Sequence, residues 1–238
     1  INRYQISINK ENIDFGVISY GFCYTEDITI MNTSEIPLRY HLRVPSDSTE
    51  EFRMVPATAC ILPHGKQKVS VEITSRTVTK YEEKLAIDIE CVGESLLTVP
   101  LLAQCQAPKV ITETTLLDYG KCYRRHPYSQ YVKIKNESRI PAIYELVQQD
   151  DLSQGLAVWH AKPMSGQLSA LGETTIEVQL RTERLGGVNL PLFIRAKGSE
   201  DKPLEVTVAA HSRGPLLSFN TGDAPIPVVE RSASQLRQ

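Results

Sequence analysis

Apolar residues along this chain recur with a period of two. Val69, Val71 and Ile73 alternate with Ser70 and Glu72, and Ile176, Val178 and Leu180 alternate with Glu177 and Gln179. Leu85, Ile87 and Ile89 alternate with Ala86 and Asp88, and the run Gln5–Ile8 and the pair Ile28 and Ile30 follow the same rhythm. Successive side chains of a strand point to opposite faces, so this alternation predicts β-strands with one buried face. No stretch of a dozen residues carries a helical stripe. With nothing to serve as crossover helices, a parallel α/β fold is excluded and an all-β class is predicted.

Turn chemistry separates the strands. Asn32-Thr33-Ser34-Glu35-Ile36-Pro37 and Asn136-Glu137-Ser138-Arg139-Ile140-Pro141 read as matching strand–turn–strand corners. Asn and Ser side chains bond their own backbone at such corners, and proline cannot join a central ladder. Pro63-His64-Gly65 and Ala170-Leu171-Gly172 precede the most regular strand of each half. About seven short strands per hundred residues then suggest two packed sheets, an immunoglobulin-like sandwich.

The corners belong to a longer internal repeat. With Asp14 laid over Asp118, a shift of 104, ten of the 29 positions from Asp14 to Leu42 are identical, among them Gly16/Gly120, Tyr24/Tyr128, Asn32/Asn136, Ser34/Ser138, Pro37/Pro141 and Tyr40/Tyr144. Ordinary composition would give roughly two by chance. Farther on the shift becomes 107, so that Phe52 meets Trp159, Pro56 meets Pro163, Gly65 meets Gly172, and Val69, Val71 and Ile73 meet Ile176, Val178 and Leu180. The three added residues fall near Ser46–Glu51 and Gln148–Gly155, both polar, as an insertion in a surface loop should. The expected organisation is one sandwich over 1–106, a second over 107–214, and a linker or the start of a further module over 215–238. Phe52 and Trp159 are expected to be buried at equivalent core positions.

Composition changes this picture little. The chain has 238 residues, 41% hydrophobic and 23% charged, with a net charge of −2. Two cores of normal size are within reach, and no global basic field points to nucleic acid. No apolar run is long enough to span a membrane. The chain opens Ile1-Asn2-Arg3 without an initiator Met and is read as an excerpt of something longer. Its five cysteines, Cys23, Cys60, Cys91, Cys105 and Cys122, form neither a disulfide framework nor a zinc motif. They are expected to be free and buried as small hydrophobes.

The search for chemistry returns little. His41, His64, His126, His160 and His211 are scattered, and no GxSxG, Walker A, HExxH or GxGxxG occurs. Asp14 and Asp118 each stand alone before a glycine, where strand-end hydrogen bonding explains them better than acid–base work. Asn32-Thr33-Ser34 and Asn136-Glu137-Ser138 are formal glycosylation sequons, which would suit an extracellular adhesion sandwich; the corner turn explains both without a glycan. No catalytic, cofactor-binding or metal-binding residue is assigned, and no cofactor is expected. Two basic groups stand out as partner contacts: Arg39, His41 and Arg43, alternating on one predicted strand, and Arg124, Arg125 and His126 in a predicted loop. Sandwiches bind through strand edges and loops of this kind.

Each half resembles the ASH domain, also called the major sperm protein or PapD-like domain. The resemblance rests on Ile13-Asp14-Phe15-Gly16-Val17, Ile28–Ser34 and Ile61-Leu62-Pro63-His64-Gly65 in the first half, and on Leu117-Asp118-Tyr119-Gly120 and Val132–Ser138 in the second. The stretches Glu90–Glu94, Leu96–Cys105 and Leu117–Cys122 are similar to the module junctions of hydin-type proteins of the ciliary axoneme. That resemblance implies a non-enzymatic scaffold of the central-pair apparatus in motile cilia, resident in the cytoskeleton of the axoneme. Its partners would be other axonemal or cytoskeletal proteins, without nucleic acid, membrane or small-molecule substrate. The alternative is a centrosomal or trafficking adaptor of the same fold with transient protein partners. Some major sperm protein domains bind acidic motifs through basic residues of the strand that holds His41 and Arg43. Here Val44-Pro45 replaces the Thr-Thr of those binders, and the second half carries Glu145 and Val147 instead.

Overall fold

In a computed structural model of the chain, which describes residues 6–45 and 50–215, the alternating segments are strands whose apolar positions are buried. The chain divides into two units, Ile1–Pro108 and Lys109–Gln238. Unit 1 contains β1 (Ile6–Ile8), β2 (Ile13–Ser19), β3 (Cys23–Asn32), β4 (Leu38–Arg43), β5 (Phe52–Val55), β6 (Thr58–Ile61), β7 (Lys66–Thr74), β8 (Lys80–Ile89) and β9 (Gly93–Gln106). A four-stranded sheet runs β1-β3-β7-β5 and a five-stranded sheet runs β2-β9-β8-β4-β6.

Unit 2 contains β10 (Val110–Thr112), β11 (Leu116–Tyr123), β12 (Pro127–Asn136), β13 (Ala142–Leu146), a one-turn helix α1 (Asp151–Gln154), β14 (Ala157–Lys162), β15 (Ser165–Leu168), β16 (Glu173–Thr182), β17 (Gly186–Ala196) and β18 (Leu204–Arg213). Its sheets run β10-β12-β16-β14 and β11-β18-β17-β13-β15, strand for strand the order of unit 1. Each unit therefore has nine strands among the described residues where spacing suggested about seven. The surplus comes from short edge pieces such as β6, β10 and β15, three or four residues each, too brief to show a period of two.

One apolar cluster fills each sandwich and draws on both of its sheets. In unit 1, Ile28, Ile30, Val69, Val71 and Ile73 of the first sheet pack with Tyr40, Leu42, Leu85, Ile87, Val99 and Leu101 of the second. In unit 2, Val132, Ile134, Ile176, Val178 and Leu180 meet Tyr144, Leu190, Leu192, Val206 and Val208. A side chain of this size stabilises by roughly 1.5–3 kcal/mol when fully buried, which makes these faces the main source of fold stability. Phe52 and Trp159 are 7% and 5% exposed, buried as the repeat predicts. The cysteines are free, but burial holds only for Cys105 and Cys122; Cys23, Cys60 and Cys91 are exposed. Cys23 and Cys60 fall on outward positions of their strands and Cys91 on the β8–β9 turn, where alternation leaves them outside the core.

The corner after the second long strand is the same hydrogen-bonded hub in both units. Asn32 is 1% exposed, and its Nδ2 donates to the carbonyls of Ile36 at 2.8 Å and of Ile61 and Leu62 at 3.1 Å. Its Oδ1 accepts from the Ser34 backbone N–H at 2.9 Å and from Ser34 Oγ at 2.6 Å. Asn136, fully buried, donates to Ile140 at 2.8 Å and Ser169 at 2.9 Å, and accepts from both groups of Ser138. The backbone N–H of each asparagine reaches a glycine carbonyl, Gly65 at 3.0 Å and Gly172 at 2.8 Å. One amide thus ties three chain segments together where no ladder can satisfy their carbonyls. Both sequon nitrogens are consumed inside the fold, so a glycan on either would break its corner.

The lone aspartates also find a structural use. Asp14 and Asp118 Oδ1 each accept the N–H of the glycine two residues on, at 2.8 Å in both units. Gly16 and Gly120 have φ of 64° and 59°, and the parallel pairings β2–β9 and β11–β18 shift register there. A left-handed residue is what such a bulge requires, which explains glycine at both positions.

Two predictions test this architecture. Asn136→Ala removes the amide donor to the Ile140 and Ser169 carbonyls and should destabilise unit 2 by about 1–3 kcal/mol, read from the urea transition followed by the fluorescence of Trp159, the sole tryptophan. Trp159→Ala should cost unit 2 about 3–5 kcal/mol by circular dichroism; a loss under about 1 kcal/mol would contradict its place in the core.

Candidate functional site

The alternation that buries Tyr40 and Leu42 turns Arg39, His41 and Arg43 outward on β4. This strand lies between β8 and β6, with His41 opposite Asp88 and Arg39 opposite Cys60. Beside it the β8–β9 hairpin turns through Glu90, Cys91 and Val92. The result is an open groove of ≈ 710 Å³ whose walls include Arg39, His41, Thr58, Glu90, Val92 and Glu94. Val92 is 53% exposed at its rim. The groove mixes charges of both signs around apolar surface, a composition suited to a peptide or protein surface.

The three basic residues of β4 do different things. Arg43 is fastened to its own unit: its Nε donates to Asp88 Oδ2 at 2.7 Å, and its Nη2 lies 3.2 Å from Ser95 Oγ and 3.4 Å from Glu94 Oε2. Asp88 also accepts the Ser95 N–H. Burial alone would push the Asp88 carboxyl up, but the Arg43 hydrogen bond, the Ser95 N–H and the Arg43 charge outweigh it and hold the carboxyl below its usual value. This pair staples the β8–β9 turn to β4 and shapes one wall of the groove. Among the described residues the Arg39 side chain makes an exposed 3.5 Å contact with Glu90, worth little in water. His41 is exposed, leaving it and Arg39 available to a partner.

In unit 2 the sequence Arg124-Arg125-His126 forms the turn between β11 and β12. The Arg125 N–H donates to Thr182 O at 2.9 Å with φ of 62°, repeating the turn in which Gly21, φ 78°, donates to Ser75 O at 2.9 Å. Glu183 gathers the arginines: Arg124 Nε donates to its carbonyl at 2.7 Å, Arg125 Nε lies 3.5 Å from its carboxylate, and Arg181 Nε donates to that carboxylate at 2.8 Å. His126 stands edge-on to Tyr128 with ring centroids 5.2 Å apart. Arg43, Arg124 and Arg125 therefore have structural partners, Asp88 and Glu183, that local sequence reading did not find. These lie 45 and about 60 residues away, and the β4–β8 and β12–β16 pairings bring them near. Among the described residues no group of three His, Cys, Asp or Glu side chains is arranged to hold a metal ion, and no helix is long and apolar enough to cross a membrane.

Residues 4–100 match the family model described as HYDIN/CFA65/VesB-like, Ig-like domain. The chain is similar to the hydrocephalus-inducing protein of Mus musculus, 26% identical over 88% of this chain and 5% of that protein. It is equally similar to the Homo sapiens homolog, 27% identical over the same shares. The chain thus spans about a twentieth of the length of these relatives, and the alignments run through both units. Among solved structures, the ASH / PapD-like domain of human CEP192 (PapD-like domain 7) aligns with 43% of this chain and 85% of that chain, at 19% identity and a TM-score of 0.38. The resemblance to hydin-type proteins is borne out by the family match over residues 4–100 and by these two relatives.

The Asp88 carboxyl yields a pH prediction. A carboxyl whose folded value is depressed contributes stability that is present above its unfolded value and lost as pH falls through the folded one. Asp88→Asn should lower the melting temperature of unit 1 near neutral pH, and the gap to the parent should close as both are acidified below the ordinary aspartate range. A gap independent of pH would refute the charge-pair account.

Proposed function

We propose that this chain is a pair of non-enzymatic interaction modules of a ciliary protein, one over 1–106 and one over 107–214. In this reading the longer protein sits in the central-pair apparatus of the motile axoneme and is needed to assemble a microtubule-associated projection. The observation that carries it is the alignment with the two hydrocephalus-inducing proteins, which covers 88% of the chain and so includes both sandwiches. The polar residues that recur in both halves support it too, since each has a structural use: Asp14 and Asp118 hold bulges, and Asn32 and Asn136 hold corners.

The mechanism is presentation of surface. Two sandwiches of identical strand order offer loops and sheet faces to neighbouring cytoskeletal proteins, and no bond is made or broken. The groove beside β4, with Arg39 and His41 on its floor and Val92 on its rim, is the proposed contact of unit 1. Arg43 shapes that groove through Asp88. The Arg124–His126 turn is the proposed contact of unit 2, with Glu183 fixing the arginine heads.

The test is the position of the tagged full-length protein in a multiciliated cell by super-resolution imaging. Signal along the axoneme, inside the ring of outer doublets, is the expected result. Signal confined to centrioles or vesicles would replace the central-pair reading with the adaptor reading, and signal at the cell surface would favour adhesion. In the same cells, Arg39→Glu combined with His41→Glu should reduce axonemal retention while leaving the circular dichroism of the purified chain unchanged.

A further inference from the structure

The outer edge of β14 is closed by a side chain. β14 pairs with β16 along one side, from Ala157 opposite Thr182 to Lys162 opposite Glu177. On the other side, Gln149 Nε2 donates to the Ala157 carbonyl at 2.6 Å, and Gln149 Oε1 accepts the Trp159 N–H at 3.2 Å. A residue of a neighbouring parallel strand would make that same pair of bonds, one from its N–H and one to its C=O, across Val158. Gln149 therefore imitates a tenth strand with a single amide.

The surrounding loop is built to hold it there. Gln154 Nε2 donates to the Gln149 carbonyl at 3.0 Å, and Gln154 closes α1, whose first turn is capped by Asp150 accepting the Ser153 N–H at 2.7 Å. The Leu156 carbonyl accepts the N–H groups of Glu183 and Arg184, which fixes the far end of the loop. This segment is where unit 2 carries its three extra residues relative to unit 1, so the cap lies in the added chain.

An open strand edge is a template for pairing, and β14 lacks most of the usual safeguards. Its sequence, Ala157-Val158-Trp159-His160-Ala161-Lys162, has no proline and a single lysine at one end. The outward N–H of Trp159 suits an antiparallel two-fold pairing centred on that residue. In that register Val158 faces His160 of the second copy, Ala157 faces Ala161, and Lys162 falls opposite Leu156, so no like charges meet. We propose that Gln149 is a cap whose role is to keep the β14 edge from pairing with β14 of a second copy of this chain. The inference stands apart from the ciliary reading, since it rests on the edge of one sheet.

The test uses the whole chain. Gln149→Ala should raise the exchange rate of the Trp159 backbone amide in dilute solution and increase self-association by about tenfold or more in sedimentation velocity, as loss of a competing hydrogen-bonded amide implies. Adding Val158→Lys, which puts a second lysine on the edge, should return the Gln149→Ala chain to monomer. Three results would overturn the proposal: a Gln149→Ala chain that stays monomeric at every concentration, a parent chain that associates equally well, or a dimer that persists when Val158→Lys is present. Circular dichroism of each variant separates these outcomes from unfolding.

Discussion

A single buried amide closes each sandwich. Where β3 and β12 end, the chain must leave one sheet and enter the other, and the carbonyls at that crossing have no strand to pair with. Asn32 and Asn136 supply the missing donors, and their own oxygens are satisfied by the serine two residues on. A buried carbonyl left unpaired costs about 1–3 kcal/mol, comparable to losing a core side chain. The crossing in turn sets where β4 and β13 begin, and so which of their residues face the core and which face out. The outward placement of Arg39 and His41 follows from it.

The repeat turns this one solution into a rule that can be checked twice. Strand order, the register shift after Asp14 and Asp118, and the Asn corner recur, with Asn136 bonding Ser169 where Asn32 bonds Ile61 and Leu62. Tyr24 Oη and Tyr128 Oη both accept a backbone N–H, from Ser19 and Tyr123, at 3.0 Å. What differs lies on the surface: Gly21 in one turn becomes Arg125 in the other, and the Gln148–Gly155 loop is longer. Identical frameworks with divergent loops suit the proposed role as docking modules, because a shared frame can carry different contact surfaces.

Much of the frame was legible in the sequence because its causes are local. Alternation at Val69–Ile73 and Ile176–Leu180 marks strands, and Asn-x-Ser followed by Ile-Pro marks the corner. Overlaying the halves located the core aromatics Phe52 and Trp159. The residues that shape the candidate surfaces were not legible, since they meet across sheets. Arg43 looks like a free basic group until β8 brings Asp88 beside it, and Arg124 and Arg125 look like an open basic cluster until Glu183 arrives with the end of β16. Gln149 gave no signal in a polar loop, because its function depends on an exposed edge that only the folded sheet creates. Cys23 and Cys60 are exposed because alternation turns them away from the core, and Cys91 because it lies on the β8–β9 turn.

The side-chain amides of Asn32 and Asn136 are buried donors in the native state. Hydrogen exchange of those two side-chain NH2 groups, followed by NMR on the nitrogen-labelled chain, tests it most directly. Both should persist long after the amides of exposed asparagine and glutamine side chains have exchanged, and disappear only with the global unfolding of their unit. Exchange of either pair at the rate of a solvent-exposed amide would mean that the corner is not closed by asparagine and that the shared frame rests on something else.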